Sequence, residues 1–279
     1  MAGRTATGAA GVDLAADLSP LAALAAAHDV VVNASGVERA DLATATGPTA
    51  LVDISATGAY LEALRERATG PVVLGAGLVP GLSTITVRDL PARAGDDVDV
   101  LVMLGAGERH GPAAVAWTAG LVGSDVHRPP EGGRVRNLRE RRRAVGPDGR
   151  TRSYLRADFP DHVLLRGPDA PLIRSYVALS SAPMTAALGL VGRLPAMRGV
   201  LGRAPHLGSD YWHVVVRNRR TGHVRQATGS GQSEATGRLT ALAAERIVEA
   251  RGTGATTMAD LVSLDDALAA VHTSSRVEG

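Results

Sequence analysis

A short polar segment that follows an apolar run near residue 30 has residue types suited to ligand binding. Three consecutive valines lead directly into Asn33, Ala34, Ser35 and Gly36. Small residues let a flat or charged ligand approach the backbone, and the Asn33 amide can both donate and accept hydrogen bonds. A turn that uses Gly36 for its backbone angle and Asn33 as its cap would need the same residues. The local sequence therefore leaves ligand binding and turn formation as two open interpretations.

Two side chains elsewhere are candidates for proton transfer. Tyr60 follows a second apolar run, so it can face the same crevice as Asn33 or pack on its own helix. His213 lies in an alternating strand pattern, where a structural role is the more common one. Histidine and carboxylate spacings typical of metal ligands are missing from the sequence, as is a Gly-x-Ser-x-Gly segment. The sequence thus offers Tyr60 and His213 as catalytic candidates and predicts no metal site.

Two glycine-rich segments resemble a dinucleotide fingerprint only in part. They are Gly75-x-Gly77-x-x-x-Gly81 and Gly105-x-Gly107-x-x-x-Gly111. Each has one residue more than the common spacing, and neither is followed about twenty residues later by an acid at the end of a strand. We expect both segments to serve turns and close packing.

The composition excludes several chemistries. The chain has 279 residues and no cysteine, which removes disulfides, thiolate metal sites and cysteine nucleophiles. All 30 basic residues are arginine, which excludes a lysine Schiff base and an intact Walker P-loop.

Charge is distributed unevenly along the chain. Residues 1–127 hold 7 arginines against 14 acids, whereas residues 128–279 hold 23 against 14. The segment 128–156 alone contains ten arginines and three acids. Arginine forks suit phosphate and carboxylate, so an anionic small-molecule substrate, an acidic carrier protein and nucleic acid are all candidate partners. Only Tyr154 supplies an aromatic ring there, which ranks nucleic acid last, and a solvated arginine face remains the simplest interpretation. The opposite charges of the two halves suit a homodimer.

The pattern of apolar runs predicts an α/β fold. Short β-rich runs end at Asn33, Ser55 and Gly75, alternate with helical patterns, and are apolar on both faces, as parallel strands covered on two sides must be. After Gly95, turn signals between strand-like segments predict antiparallel hairpins in a second, α+β domain. We expect domains at 1–94 and 95–232, and terminal helices in 233–279 that return to the first domain.

Localisation signals are weak. The start of the sequence lacks a secretion pattern, so a cytoplasmic protein is the default expectation. An uncharged stretch between Arg174 and Arg193 has nearly the length of a membrane span, but serine, threonine and proline interrupt it. We therefore predict no membrane span.

Four segments, in order and spacing, resemble the Rossmann half of the saccharopine dehydrogenase-like oxidoreductases, at residues 11–14, 28–36, 51–55 and 75–83. The strand at 227–229 and the helix at 235–250 also resemble the end of that family. The resemblance implies an NAD(P)-dependent enzyme with a Rossmann-like first domain and a second domain that carries the substrate and forms the dimer. It places the loop from Asn33 to Gly36 beside the nicotinamide, with Asp13 and Ser55 also at the cofactor. Arg4 would lie at the adenosine end and favour NADP.

The sequence departs from this family at one point. The family's first strand, its Gly-x-Gly-x-x-Gly turn and its first helix would lie upstream of Met1, so we expect an incomplete Rossmann-like sheet and weakened dinucleotide binding. Two functions follow as hypotheses. One is an oxidoreductase that uses NAD(P)H on a small or biosynthetic metabolite. The other is a non-redox relative, namely a cyclase, isomerase or partner-binding pseudoenzyme.

Overall fold

The computed structural model of the chain describes residues 11–108, 112–194, 196–199 and 208–272. Its strands are β1 (Val30–Asn33), β2 (Ala50–Asp53), β3 (Val72–Leu74), β4 (Asp97–Leu104), β5 (Arg141–Val145), β6 (Thr151–Arg156), β7 (Leu172–Leu179), β8 (Tyr211–Asn218), β9 (Val224–Ser230) and β10 (Ala255–Thr257). Its helices are α1 (Ser19–Ala25), α2 (Leu42–Ala45), α3 (Gly58–Arg67), α4 (Leu82–Asp89), α5 (Pro112–Leu121), α6 (Asp161–Leu164), α7 (Ala182–Val191), α8 (Gln232–Ala250), α9 (Met258–Leu261) and α10 (Leu264–His272).

The strands form two sheets, which confirms the mixed α/β fold. The first sheet is parallel throughout, in the order β1-β2-β3-β10. The second is mixed, in the order β5-β6-β7-β4-β8-β9.

The parallel sheet is Rossmann-like because helices cover both of its faces. Every residue of β2 and β3 is buried. Leu51 and Leu74 point towards Leu61 and Leu64 of α3, whereas Val52 and Val73 pack with α8. The alternation of side chains along a strand supplies both faces from one apolar run, so a run that is apolar at every position is what this sheet requires.

The mixed sheet contains the two predicted hairpins. β5 and β6 pair antiparallel around the turn at 147–149, and β8 and β9 pair around 220–222. Its centre was not predicted, because β4 pairs parallel with β7, whose residues lie 75 positions further along the chain. Turn residues mark local hairpins and carry no signal for a pairing of that length.

The end of the chain adds to the parallel sheet. α8 packs on β1, β2 and β3, and β10 pairs parallel with β3. We expected helices at the end of the chain to pack on the first domain. We did not expect β10, because a strand of three residues is too short to show a pattern in the sequence. The domain boundaries at 94 and 232 stay a prediction.

The long uncharged stretch is divided between two elements. It supplies most of β7 and all of α7. Within the described ranges, helices long and apolar enough to cross a bilayer are absent.

The glycine segments make close backbone contacts. A Cβ on Gly105 would lie 2.7 Å from the Asp210 carbonyl carbon, and one on Gly107 would lie 2.3 Å from the Gly208 oxygen. Gly77 and Gly81 form a parallel bridge across a tight turn before α4. The packing interpretation therefore holds for these glycines, whereas Gly111 lies outside the described residues.

Candidate functional site at the carboxyl edge of the parallel sheet

The loops that follow β1, β2 and β3 lie at one edge of the parallel sheet. Asn33 is in register with Asp53, and Asp53 is in register with Leu74. The backbone continues this alignment beyond the strands, since the amide of Ala76 donates to the carbonyl of Asp53 at 2.8 Å. Open α/β sheets bind ligands at the carboxyl ends of their strands, so this edge is the candidate site.

The centre of the site is the buried carboxylate of Asp53. Its side chain has no solvent exposure and accepts hydrogen bonds from Asn33 Nδ2 at 2.7 Å, Tyr60 Oη at 2.7 Å and the Ser55 amide at 2.8 Å. In the part of the chain that the structure describes, Asp53 has no ion-pair partner. Hydrogen bonds to both carboxylate oxygens therefore replace the water lost on burial.

The Asn33 side chain is fully occupied by protein partners. Its Nδ2 donates to the Val37 carbonyl as well as to Asp53, and its Oδ1 accepts from the hydroxyl and the amide of Ser35. An amide offers two donor hydrogens and two lone pairs, and all four are used here. Asn33 consequently fixes the loop, and the turn interpretation describes its side chain.

The loop itself remains open for contact. Ala34, Ser35 and Gly36 are exposed, and Gly36 has a φ of +77°, a backbone conformation that favours glycine. The Ser35 hydroxyl accepts from the Val37 amide at 3.1 Å, which closes the turn. A rigid loop of small exposed residues can present its backbone to a ligand. Ligand binding at this loop would therefore use the backbone of residues 34–36 and not the Asn33 side chain.

The other expected cofactor residues lie in different places. Asp13 is exposed and accepts from the Ala15 amide at 3.0 Å. Arg39, which follows the loop at 34–36, holds the turn that contains Asp13, because its Nη1 donates to the Leu14 carbonyl. Ser55 is half-buried beneath Asp53. Arg4 lies outside the described residues.

Tyr60 and His213 are not brought together. Tyr60 belongs to the Asp53 network, and burial together with the adjacent Asp53 raises the pKa of its hydroxyl. His213 lies on β8 in the other sheet, where its Nε2 shares a hydrogen bond of 2.8 Å with Tyr154 Oη. Burial lowers the pKa of His213 to about 4, and the nearby Arg152 contributes to this shift. Both groups are therefore held in one protonation state at neutral pH.

The burial of His213 predicts a loss of stability in acid. Histidine titrates near pH 6.5 in an unfolded chain and at about pH 4 here, so between these values the unfolded state binds more protons. The free energy of unfolding should fall by up to about 3 kcal/mol as the pH drops from 6.5 to 4, with no contribution above that window. Urea denaturation at a series of pH values measures this.

The variant His213→Gln should have a flatter pH profile of stability than the wild type. His223→Gln removes an exposed histidine and should retain the wild-type slope. Equal slopes in the wild type and His213→Gln would contradict the assignment. Comparing variants separates His213 from Asp158 and Asp161, whose pKa values are raised by burial and which act in the opposite direction.

Elements of the mixed-sheet region cover one side of the site. Trp117 of α5 donates from Nε1 to the Ala56 carbonyl at 3.2 Å and stacks on Phe159 at 4.8 Å between ring centroids. The loop after β2 is therefore held by α5 and half-buried, whereas residues 34–36 after β1 stay exposed.

A buried acid of α3, Glu62, joins this helix to three basic side chains of the region that follows β4. Glu62 is 6% exposed and bonds to His127 Nε2 at 3.1 Å, Arg128 Nη1 at 2.9 Å and Arg166. Burial acts to raise the pKa of Glu62, but hydrogen bonds from His127 and Arg166 hold it below its usual value. Sequence reasoning missed Glu62 and Trp117, because the partners lie 65 and 61 residues away.

Clusters of three or more histidine, aspartate or glutamate side chains that could hold a metal ion are absent from the described ranges. Neither a protein-family model nor a curated protein matches this sequence.

Proposed function

We propose that the carboxyl edge of the parallel sheet binds NAD(P) and that the protein is a saccharopine dehydrogenase-like oxidoreductase acting on a small or biosynthetic metabolite. The observation that carries this proposal is the loop from Asn33 to Gly36. It ends a parallel strand, is fixed from beneath by Asp53, and presents exposed small residues. The proposal keeps the expectations of a cytoplasmic protein and a homodimer.

The residues present fit the flat nicotinamide end of the cofactor. The backbone of residues 34–36 would contact it, while Asn33, Asp53 and Ser55 hold the loop in place. The cofactor supplies the hydride chemistry when bound, and the protein supplies position. Trp117 holds the neighbouring loop through its hydrogen bond to the Ala56 carbonyl.

A non-redox function is the second candidate, and one observation favours it. The two side chains expected to transfer protons, Tyr60 and His213, are both buried and bonded to protein partners. A cyclase, isomerase or partner-binding pseudoenzyme would use the same crevice without the dinucleotide.

Thermal melting and calorimetric titration with NADPH and NADH distinguish these functions. Saturation at one hundred times the dissociation constant should stabilise the protein by about 2.7 kcal/mol, because the ligand binds only the folded state. ADP-ribose, which lacks the nicotinamide, should bind more weakly.

A matched pair of variants locates the site. Ala34→Leu adds bulk to the exposed loop and should weaken NADPH binding at least tenfold, whereas Ala59→Leu, at an exposed position of α3, should leave it unchanged. If neither NADPH nor NADH shifts the melting curve of the wild type at millimolar concentration, the oxidoreductase proposal fails.

A further inference from the structure

A cavity of about 270 Å³ lies in the mixed-sheet region, between the β5–β6 hairpin, the end of β7 and the first turn of α7. Its wall includes Arg141, Arg150, Arg152, Thr151 and Ser153. None of the residues that line it belongs to the Asp53 network. We propose that this cavity binds a small organic phosphate monoester, at a second ligand site beyond the proposed dinucleotide site.

The charge of the wall selects an anion. Arg152 is held in place by two hydrogen bonds of 2.5 Å to the two oxygens of Asp148, and it keeps the pKa of that carboxyl well below its usual range. Arg150 approaches Asp148 only to 3.9 Å and is largely exposed. The Arg141 side chain has no hydrogen-bond or ion-pair partner among the described residues. The Arg152 guanidinium lies on the opposite face of the sheet, beside His213, and is paired with Asp148. Arg141 and Arg150 thus leave two positive charges at the cavity without a hydrogen-bonded carboxylate.

Neutral donors at the wall complement these charges. The hydroxyls of Thr151 and Ser153 make no hydrogen bond within the part of the chain that the structure describes. α7 adds the positive end of its dipole, because Ala182 and Ala186 line the cavity and its first turn holds no acidic residue. A dianionic phosphate satisfies this arrangement better than a single carboxylate, since arginine forks pair with several of its oxygens.

The remaining wall and the size define the rest of the ligand. Leu155, Leu179 and Ala186 supply an apolar surface beside the charged groups. A volume of about 270 Å³ lies below the usual range of roughly 300–1,000 Å³ for pockets that hold drug-sized ligands. The cavity therefore suits a phosphate on a short apolar body and is too small for a dinucleotide.

Calorimetric titration at one fixed, low ionic strength tests the chemistry of the ligand. The probes are butyl phosphate, inorganic phosphate and butyrate. We expect butyl phosphate to bind more tightly than inorganic phosphate, because of the apolar wall, and more tightly than butyrate, because of its second charge. Equal binding of all three probes would overturn the proposal.

A matched pair of charge variants tests the location. Arg141→Gln should weaken butyl phosphate binding by about tenfold, the usual effect of losing one charged hydrogen bond. Arg217→Gln removes the same charge from an exposed side chain of β8, a strand that supplies no residue of the cavity wall, and should change the affinity less than twofold. Equal weakening by both variants would show general charge attraction and overturn the site.

A steric pair tests the cavity without changing charge. Ala186→Leu fills the cavity from α7 and should abolish binding, whereas Ala187→Leu, at the next exposed position of α7, should preserve it. Melting curves of the variants confirm that each is folded. Sedimentation with phosphatidylglycerol vesicles is the last test. If the protein binds the vesicles, if Ala186→Leu still binds them, and if butyl phosphate gives no heat, the arginines bind a membrane surface and the proposal is overturned.

Discussion

Replacement of Gly81 by alanine is expected to lower the free energy of unfolding by at least about 3 kcal/mol, which is a large part of the 5–15 kcal/mol typical of a domain. The new Cβ would lie 1.9 Å from the carbonyl oxygen of Gly77 and 2.6 Å from its amide nitrogen. Gly81 also has a φ of +131°, which L-residues with a side chain rarely adopt. Both contacts are with backbone, so no side-chain rotation relieves them. Urea denaturation measures the loss.

Two control glycines distinguish the cost of a positive φ from the cost of steric overlap between a new Cβ and the backbone. Gly95 has a φ of +75° but open space around its Cβ position, so Gly95→Ala should cost only about 1–2 kcal/mol. Gly252 lies in open space without a positive φ, and Gly252→Ala should be nearly neutral. If Gly81→Ala costs no more than Gly95→Ala, the turn before α4 can relax and the prediction is wrong.

Replacement of Asp53 by asparagine is expected to cost about 2–4 kcal/mol, although the two side chains have the same shape. Three donors point at the carboxylate, and hydrogen bonds to charged groups contribute about 1.5–3 kcal/mol each. An amide nitrogen in place of either oxygen would face Asn33 Nδ2 or the Ser55 amide, both of which are donors. The Tyr60 hydroxyl can rotate to accept, but the Ser55 backbone amide cannot. A flip of the Asn33 amide would turn its oxygen towards the Val37 carbonyl, which is also an acceptor. Chemical denaturation again gives the free energy.

Two variants calibrate this result. Tyr60→Phe removes one donor and leaves two, so it should cost about 1–2 kcal/mol. Asp41→Asn neutralises a half-exposed acid that pairs with Arg67 at the surface, and it should stay within about 1 kcal/mol of the wild type. A loss for Asp53→Asn no larger than that for Asp41→Asn would show that the network does not stabilise the fold.

The parts of the fold that could be predicted from the sequence are those with local signals. The runs at β1, β2 and β3 are apolar at nearly every position, and turn residues separate the strands of each hairpin. The parallel pairing of β4 with β7 and the addition of β10 depend on contacts between distant segments. No periodicity or turn residue reports such contacts.

The candidate site shows the same limit. Asn33 and Ser35 were recognised because they follow a strand and are small or polar. The central role of Asp53 was missed, because its partners Asn33 and Tyr60 lie 20 and 7 residues away and the sequence does not show that its charge is buried. For Tyr60 the sequence left two positions open, and its hydrogen bond to Asp53 assigns it to support of the loop.

The Glu62 cluster has a consequence for how a ligand would enter and leave. A hinge motion that moved α3 away from residues 127–128 and 166 would strip a nearly buried carboxylate of its cations, and it would also break the bonds of Arg65 to the Val163 and Leu164 carbonyls. That side of the proposed site is therefore held in place, and we expect a bound molecule to enter and leave past the exposed loop at 34–36, without a hinge motion of α3.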